Sequence, residues 1–194
     1  MLAFGSALVY VIPTLIIAIT LHEFAHAWTS WKLGDYRAKE SGRITLNPIK
    51  HLDVFGLLML FAIGFGWAKP VMVNPEYYKK PGLGMMLVAI AGPATNFALA
   101  IIGILLSFVL TGEAFIFAVW FWVINLNLGI FNLFPIPPLD GSKIFGFFVH
   151  GDDYMDFLQY ERYGFFVLII MAVFGVFGMV IGPINTFLLN FLYG

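Results

Sequence analysis

The sequence contains no cysteine and few charged residues. Without cysteine it can form no disulfide bond, and any zinc site must be built from histidine, aspartate or glutamate. Only 11% of its 194 residues are charged, against about 25% in soluble domains. The net charge of −1 offers no basic surface to nucleic acid, so we expect no nucleic-acid partner. With 61% hydrophobic residues, the composition indicates a membrane protein.

A metal-binding pattern lies inside the first apolar run. The residues are His22-Glu23-Phe24-Ala25-His26, and no charged side chain precedes them. Residues four apart share a helix face, so His22 and His26 can present two imidazoles to one metal ion. Glu23 lies next to His22, close enough to act on a water molecule at that metal. Ionisable residues are costly inside a membrane, so the pattern indicates a metalloprotease with its active site in the bilayer.

Four segments are long and apolar enough to cross a membrane, and we place them at about 4–30, 82–112, 114–134 and 163–181. Gly182 and Pro183 are expected to interrupt the last segment and to leave about ten apolar residues, too few to span. The run 54–68 is also short, and we expect it to dip into the membrane and return.

The predicted fold is an all-α, polytopic membrane protein with about four spanning helices and one short re-entrant or interfacial segment. We treat residues 1–194 as a single integral-membrane domain, with a catalytic core at about 4–141 and a C-terminal helical part at 142–194. The stretch 66–75 has β-branched residues bordered by prolines, which is compatible with a small β-like element at the membrane edge or with an ordinary interfacial loop.

The distribution of basic residues predicts how the chain is oriented. Eight of the ten lie between positions 32 and 80, so this region is expected on the cytoplasmic side. The segment 114–134 then returns to that side and brings Asp140 to the same membrane face as His26. Three prolines within 135–138 open the helix before Asp140, and non-helical backbone at membrane depth requires a protein-lined or wet cavity. Asp140 is therefore the best candidate for a third metal ligand.

Two further polar features are open to more than one interpretation. Asn96 lies at membrane depth, where a single asparagine is more often a helix–helix contact than a catalytic group. His150 precedes an acidic cluster at 152–161, which we interpret as a solvated loop in preference to a second metal site, because no ligand spacing recurs there.

Three motifs in order resemble those of the site-2 protease family of intramembrane zinc metalloproteases. They are H-E-F-A-H at 22–26, G-P-A-T-N at 92–96 and N-L-F-P-I-P-P-L-D-G at 132–141. The stretches T-L-N-P-I-K-H at 45–51 and G-W-A-K-P-V-M-V-N-P at 66–75 are similar to the small bacterial-type members as well. The 194 residues leave no room for the PDZ or CBS domains of larger members.

The resemblance implies one Zn²⁺ per chain and a defined set of site residues. The metal ligands would be His22, His26 and Asp140, and the general base would be Glu23. The resemblance also implies that Asn96 and Asn132 line the site and help to stabilise the oxyanion, and that 66–75 pairs with an unwound substrate. The expected partners are the lipid bilayer and a membrane protein with a single transmembrane helix. The expected location is a bacterial or archaeal cell membrane, with the active site nearer the cytoplasmic face.

Two other functions compete with proteolysis. A metal transporter would string ionisable residues across the membrane, whereas here they cluster at one depth. A catalytically silent scaffold would bind client proteins without cutting them, and such a protein has no need of Glu23.

Overall fold

The computed structural model describes residues 4–56, 58, 66–150 and 161–194. Helices dominate the described residues: α1 Phe4–Lys32, α2 Arg37–Glu40, α3 Pro81–Ser107, α4 Gly112–Asn132, α5 Asp140–His150, α6 Glu161–Val173 and α7 Val176–Tyr193, with short 3-10 helices at Pro48–Lys50 and Pro75–Tyr77. Four of the described helices, α1, α3, α4 and α7, are long and apolar enough to cross a membrane. The predicted all-α, multi-pass membrane fold is confirmed.

Helices α1, α3 and α4 pack against one another, and α5 packs against α3. Small side chains make this close packing possible, as is common between helices in a bilayer. Ala18 on α1, Ala100 on α3 and Ala118 on α4 are all buried. At Gly103 on α3, an added Cβ would come within 2.8 Å of the Trp122 side chain on α4. The tight bundle brings α3 and α5 against the part of α1 that carries the metal-binding pattern.

The final helix α7 is fastened to the bundle by hydrogen bonds at its end. The Tyr193 hydroxyl lies 2.6 Å from Ser107 Oγ at the end of α3 and accepts a bond of 3.0 Å from Trp122 Nε1 on α4. These groups have few alternative partners in an apolar environment, so the bonds fix one end of α7 against α3 and α4.

The break in the last apolar region differs from the one predicted. It lies at Gly175, whose φ of 69° favours glycine, and not at Gly182 and Pro183. Pro183 is inside α7, where it removes one backbone donor without ending the helix. The prediction of a span at 163–181 followed by a short apolar tail is therefore wrong. The candidate span is Val176–Tyr193, and the 13-residue α6 precedes it.

The predicted β-like element is not confirmed. Between 66 and 74 the described residues form no strand, and the antiparallel bridge between Leu52 and Ala68 is isolated. The predicted re-entrant run 54–68 lies largely outside the described residues, because 57 and 59–65 are not among them. Of the predicted acidic loop at 152–161, residues 152–160 also lie outside them; His150 before it ends α5, and Glu161 begins α6.

Candidate metal centre

Three side chains from two distant parts of the chain converge inside the bundle. The Nε2 atoms of His22 and His26 lie 2.9 Å apart, and Asp140 Oδ2 lies 3.2 Å from each of them. All three residues are buried. The histidines lie one turn apart on α1, and Asp140 is the first residue of α5, directly after the proline-rich turn. The structure thus brings together the three residues that were predicted from the sequence as candidate metal ligands.

The hydrogen bonds of the two histidines determine which nitrogen faces the centre. His22 Nδ1 lies 2.6 Å from Asn96 Oδ1, and His26 Nδ1 lies 2.7 Å from the Val88 carbonyl oxygen. Both partners can only accept, so each Nδ1 carries the hydrogen and each Nε2 of a neutral ring presents a lone pair.

This arrangement fits a bound cation. Two lone pairs and a carboxylate oxygen within about 3 Å of one another repel unless a positive charge lies between them. Tetrahedral zinc with bonds of about 2.0 Å would set its ligand atoms about 3.3 Å apart, close to the observed separations. The nitrogen and oxygen donors are also those that zinc accepts in sites without cysteine. The donor set therefore fits zinc.

Gly92 on α3 allows the centre to form. A Cβ at this position would lie 2.4 Å from His26 Nε2 and 2.5 Å from His22 Cε1. Real Cβ atoms do not approach other atoms so closely, so a side chain here would displace the rings. The glycine of the G-P-A-T-N motif is therefore part of the metal centre although it offers no ligand.

Glu23 lies beside the centre without belonging to the ligand set. It is 9% exposed and faces the same cavity as the two histidines. No described residue donates a hydrogen bond to its carboxylate. A carboxylate acceptor without a protein partner beside a metal site is able to take a proton from water.

The two asparagines of the family motifs occupy different positions. Asn96 is fully buried; its Nδ2 donates to Asn125 Oδ1 at 3.0 Å and makes a longer contact of 3.4 Å with the Ala18 carbonyl. Asn132 lines the cavity, as Asn96 does, and its Nδ2 donates to the Leu128 carbonyl at 3.0 Å. The sequence did not single out Asn125, although a second asparagine in an apolar helix was a signal that could have done so.

The centre opens into a cavity of about 450 Å³. Its walls are mainly apolar and come from α1, α3, α4, α5, α6 and the segment before α3. Val71 and Val73 face it, whereas Met72 between them is 72% exposed. This alternation is typical of an extended chain.

The segment 66–74, hereafter the rim segment, is held from outside the spanning helices. Arg43 donates from one guanidinium nitrogen to the Lys69 and Pro70 carbonyls, both at 2.6 Å. The Lys69 N–H donates to the His51 carbonyl at 2.9 Å. These bonds fix the first half of the rim segment against the loop that follows α2.

Asp35 holds the other end of the rim segment. Its buried carboxylate accepts a 2.7 Å bond from the Asn74 N–H and is paired with Arg37. Burial raises the pKa of Asp35, but the hydrogen bonds from Arg37 and the Asn74 N–H outweigh it and bring the pKa below its usual value. Asp35 is therefore ionised at neutral pH and remains a strong acceptor.

Comparison with protein families gives the centre its context. The model of peptidase family M50 matches residues 10–117 and 111–175, which include all three proposed ligands. The chain belongs to peptidase family M50. The resemblance to the site-2 proteases is confirmed, and as a member of this family the chain is a zinc metalloprotease and an integral, multi-pass membrane protein.

Several curated relatives support the assignment of this M50 peptidase. YwhC of Bacillus subtilis is 42% identical over 92% of this chain and 86% of its own length. Rip2 of Mycobacterium tuberculosis is 33% identical over 72% of this chain and 57% of its own length. MJ0611 of Methanocaldococcus jannaschii is 28% identical over 72% of this chain and 71% of its own length. Each is named as a putative zinc metalloprotease. No solved structure is significantly similar to this M50 peptidase.

Proposed function

We propose that this M50 peptidase hydrolyses peptide bonds inside or near the transmembrane segments of other membrane proteins. The observation that carries the proposal is the position of two of the three donors, His22 and His26, on the spanning helix α1. His26 and His22 lie six and ten residues before Lys32 at the polar end of α1, so they lie about 9 Å and about 15 Å from that end. A substrate bond must reach this depth to be cut.

The proposed ligands are His22, His26 and Asp140, which would hold one Zn²⁺ per chain. When bound there, zinc supplies Lewis acidity, which polarises the scissile carbonyl and lowers the pKa of water towards about 7. Glu23 takes the proton from the attacking water and passes it to the leaving amine. Its place next to His22, without a hydrogen-bond donor among the described residues, supports this role.

Asn132 is suited to stabilise charge on the substrate carbonyl. An asparagine amide carries two hydrogens, and one of those on Asn132 is used by the Leu128 carbonyl. The second can donate to an oxygen in the cavity, where low polarity strengthens such a bond.

The proposed substrate is a membrane protein with a single transmembrane helix, part of which unwinds before cleavage. A helix shields its peptide bonds, whereas an extended chain exposes them to the nucleophile. The rim segment supports this model, because Val71, Met72 and Val73 make no backbone hydrogen bonds to the described residues. Their N–H and C=O groups can therefore pair with an added strand.

We further propose that substrates meet the centre from the cytoplasmic side. Eight of the ten basic residues lie between positions 32 and 80, in the loops next to the polar end of α1. The positive-inside rule assigns such loops to the cytoplasm, and the centre lies nearer to them than to the opposite surface.

A cleavage assay with paired zinc analysis tests the proposed chemistry. The purified protein and its Glu23→Gln and Asp140→Asn variants are incubated in detergent with single-span membrane peptides. We expect cleavage and about one zinc per chain for the parent, and zinc without cleavage for Glu23→Gln. Asp140→Asn should lose most of its zinc.

Each contrary result removes a defined part of the proposal. Normal cleavage by Glu23→Gln would show that another group is the base. Unchanged zinc in Asp140→Asn would remove this residue from the ligand set. Zinc binding by a parent that cuts no peptide would favour a catalytically silent scaffold.

A further inference from the structure

We infer that Asn125 and Asn96 form a relay that orients the ring of His22, so that Asn96 acts as a positioning residue for the metal centre and not as an oxyanion donor. The inference rests on the proposed role of His22 as a metal ligand. It adds Asn125 to the site, on the helix α4 that carries Asn132 and contributes none of the three proposed ligands.

The hydrogen bonds of Asn96 leave it no group for the substrate. Its Oδ1 lies 2.6 Å from His22 Nδ1, and its Nδ2 contacts Asn125 Oδ1 at 3.0 Å and the Ala18 carbonyl at 3.4 Å. An asparagine amide has two hydrogens, and both therefore have acceptors within α1 and α4. Asn96 adjoins the cavity but is 0% exposed, so a substrate carbonyl can bond to its nitrogen only by displacing one of these two acceptors.

Asn125 gives the relay its direction. Its Nδ2 donates to the Phe121 carbonyl at 2.9 Å, and a carbonyl can only accept. Asn125 Oδ1 is consequently the atom that faces Asn96, and it requires the nitrogen of that amide to face it in turn. Asn96 Oδ1 must then point at His22, whose Nδ1 donates and whose Nε2 presents its lone pair to His26 and Asp140.

The other histidine has a simpler arrangement. His26 Nδ1 lies 2.7 Å from the Val88 carbonyl on α3, so the helix backbone itself fixes its ring. No such carbonyl contacts His22 Nδ1 among the described residues, and Asn96 supplies the acceptor instead. Metal-bound histidines usually depend on an acceptor of this kind, and its loss typically costs about 10–100-fold in metal affinity or activity.

The experiment measures zinc affinity by competition with a chelator, on the full-length protein purified in detergent. We expect Asn96→Leu and Asn125→Leu each to weaken zinc binding by about 10–100-fold. The double variant should bind zinc no more weakly than the single variant with the lower affinity, because both changes break the same chain of hydrogen bonds. Unchanged affinity in either single variant, or independent losses that multiply in the double variant, would overturn the relay.

Asn127→Leu is the matched control. Asn127 lies on the same helix as Asn125, and its buried Oδ1 makes no hydrogen bond to the described residues. The same amide-to-leucine change there should leave zinc affinity as in the parent. An equal loss of zinc affinity in this control would mean that removing any polar side chain from α4 disturbs the centre. It would overturn the relay through Asn125 and Asn96.

The conservative Asn96→Asp variant separates positioning from oxyanion stabilisation. A carboxylate keeps an acceptor for His22 Nδ1 but loses the amide donor. We expect Asn96→Asp to bind zinc more tightly than Asn96→Leu, by about tenfold or more, and to recover most of the parental kcat when zinc is saturating. An oxyanion role predicts parental zinc affinity in both variants and a low kcat in both.

The zinc measurement also keeps this inference separate from the proposed proteolysis. The affinity pattern can be obtained from a protein that cuts no peptide, and it would then support the relay while the proposed function fails. Cleavage by the parent together with parental zinc affinity in both leucine variants would support proteolysis and overturn the relay.

Discussion

At the scale of single residues, the candidate metal centre depends on the absence of a side chain at Gly92 as much as on its three proposed ligands. The backbone of α3 passes directly over the two imidazoles at Gly92, where a Cβ would lie 2.4 Å from His26 Nε2. The neighbouring Pro93 and Asn96 are both buried, and α3 is closely packed against α1 and α4, so its backbone cannot shift freely. Any residue larger than glycine must therefore push the rings away from Asp140.

Gly92→Ala should bind zinc at least about tenfold more weakly than the parent and lose cleavage activity in proportion, since displaced ligands no longer meet at one point. The measurement is zinc content after dialysis, paired with a cleavage assay. Gly178→Ala on α7 is the control, because an added Cβ there meets nothing within 4 Å. Parental zinc content in Gly92→Ala would contradict the observed contact between α3 and the histidines.

At the scale of elements, the rim segment depends on polar contacts at its two ends. Arg43 and the His51 carbonyl hold one end, and Asp35 holds the other through the Asn74 N–H. Neither Arg43 nor Asp35 is placed in a spanning helix. The rim segment, our proposed substrate-pairing edge, and the candidate metal centre are thus supported by different parts of the molecule, and a mutation can affect one without the other.

Arg43→Ala should impair substrate binding and leave the metal centre intact. Hydrogen bonds to a charged group contribute about 1.5–3 kcal/mol each, so their loss should loosen the rim segment and raise KM by roughly tenfold or more. Steady-state cleavage of a single-span peptide provides KM and kcat, and metal analysis provides the zinc content. We expect zinc to remain at the parental level.

The exposed Lys50 provides a charge-matched control for Arg43. Its ammonium makes no salt bridge to the described residues, so Lys50→Ala removes one positive charge without releasing the rim segment. KM should then stay close to the parental value. A rise in KM equal to that of Arg43→Ala would mean that net charge matters, whereas an unchanged KM in Arg43→Ala would separate the rim segment from substrate binding.

At the scale of the whole molecule, the proposed function requires one orientation in the membrane. The polar end of α1 and the beginning of α3 should lie on the same side as the basic loops. The turn between α3 and α4 should lie on the opposite side, because α3 is long enough to cross. The chain contains no cysteine, so a single introduced cysteine can report its own side without background.

Lys39→Cys and Lys79→Cys should react with a membrane-impermeant maleimide from the cytoplasmic side only. Thr111→Cys should react from the other side only. All three positions are exposed, so a failure to react would not result from burial in the protein. Labelling of Lys39→Cys and Lys79→Cys from opposite sides would mean that residues between them cross the membrane, and it would contradict the proposed topology.

The sequence predicted those features that depend on composition and short-range spacing. Long uncharged segments identified the first three spans, and the four-residue spacing identified His22 and His26. Asp140 followed from counting membrane crossings. The end of the chain was misjudged because a proline within a bilayer helix need not end it, whereas Gly175 adopts a positive φ that is not evident from the apolar pattern.

Contacts between helices could not be predicted from the sequence. The link between Asn125 and Asn96 became visible only through their 3.0 Å bond, because no spacing rule connects positions on different helices. The close approach of Gly92 to the imidazoles also joins two helices, so no spacing in the sequence could predict it. The sequence could not decide between a β-like element and a loop for the rim segment. Its extended course depends on Arg43 and Asp35, which are distant from it in sequence.

The central claim is that the centre on α1 cuts peptide bonds within the membrane, and mass spectrometry of the products tests it most directly. The protein is reconstituted with a single-span peptide in lipid vesicles, and the new termini are mapped. We expect them inside the apolar span, in the half nearer its cytoplasmic end, and we expect none with Glu23→Gln. Cuts confined to the polar flanks, or identical products from the Glu23→Gln variant, would contradict the account.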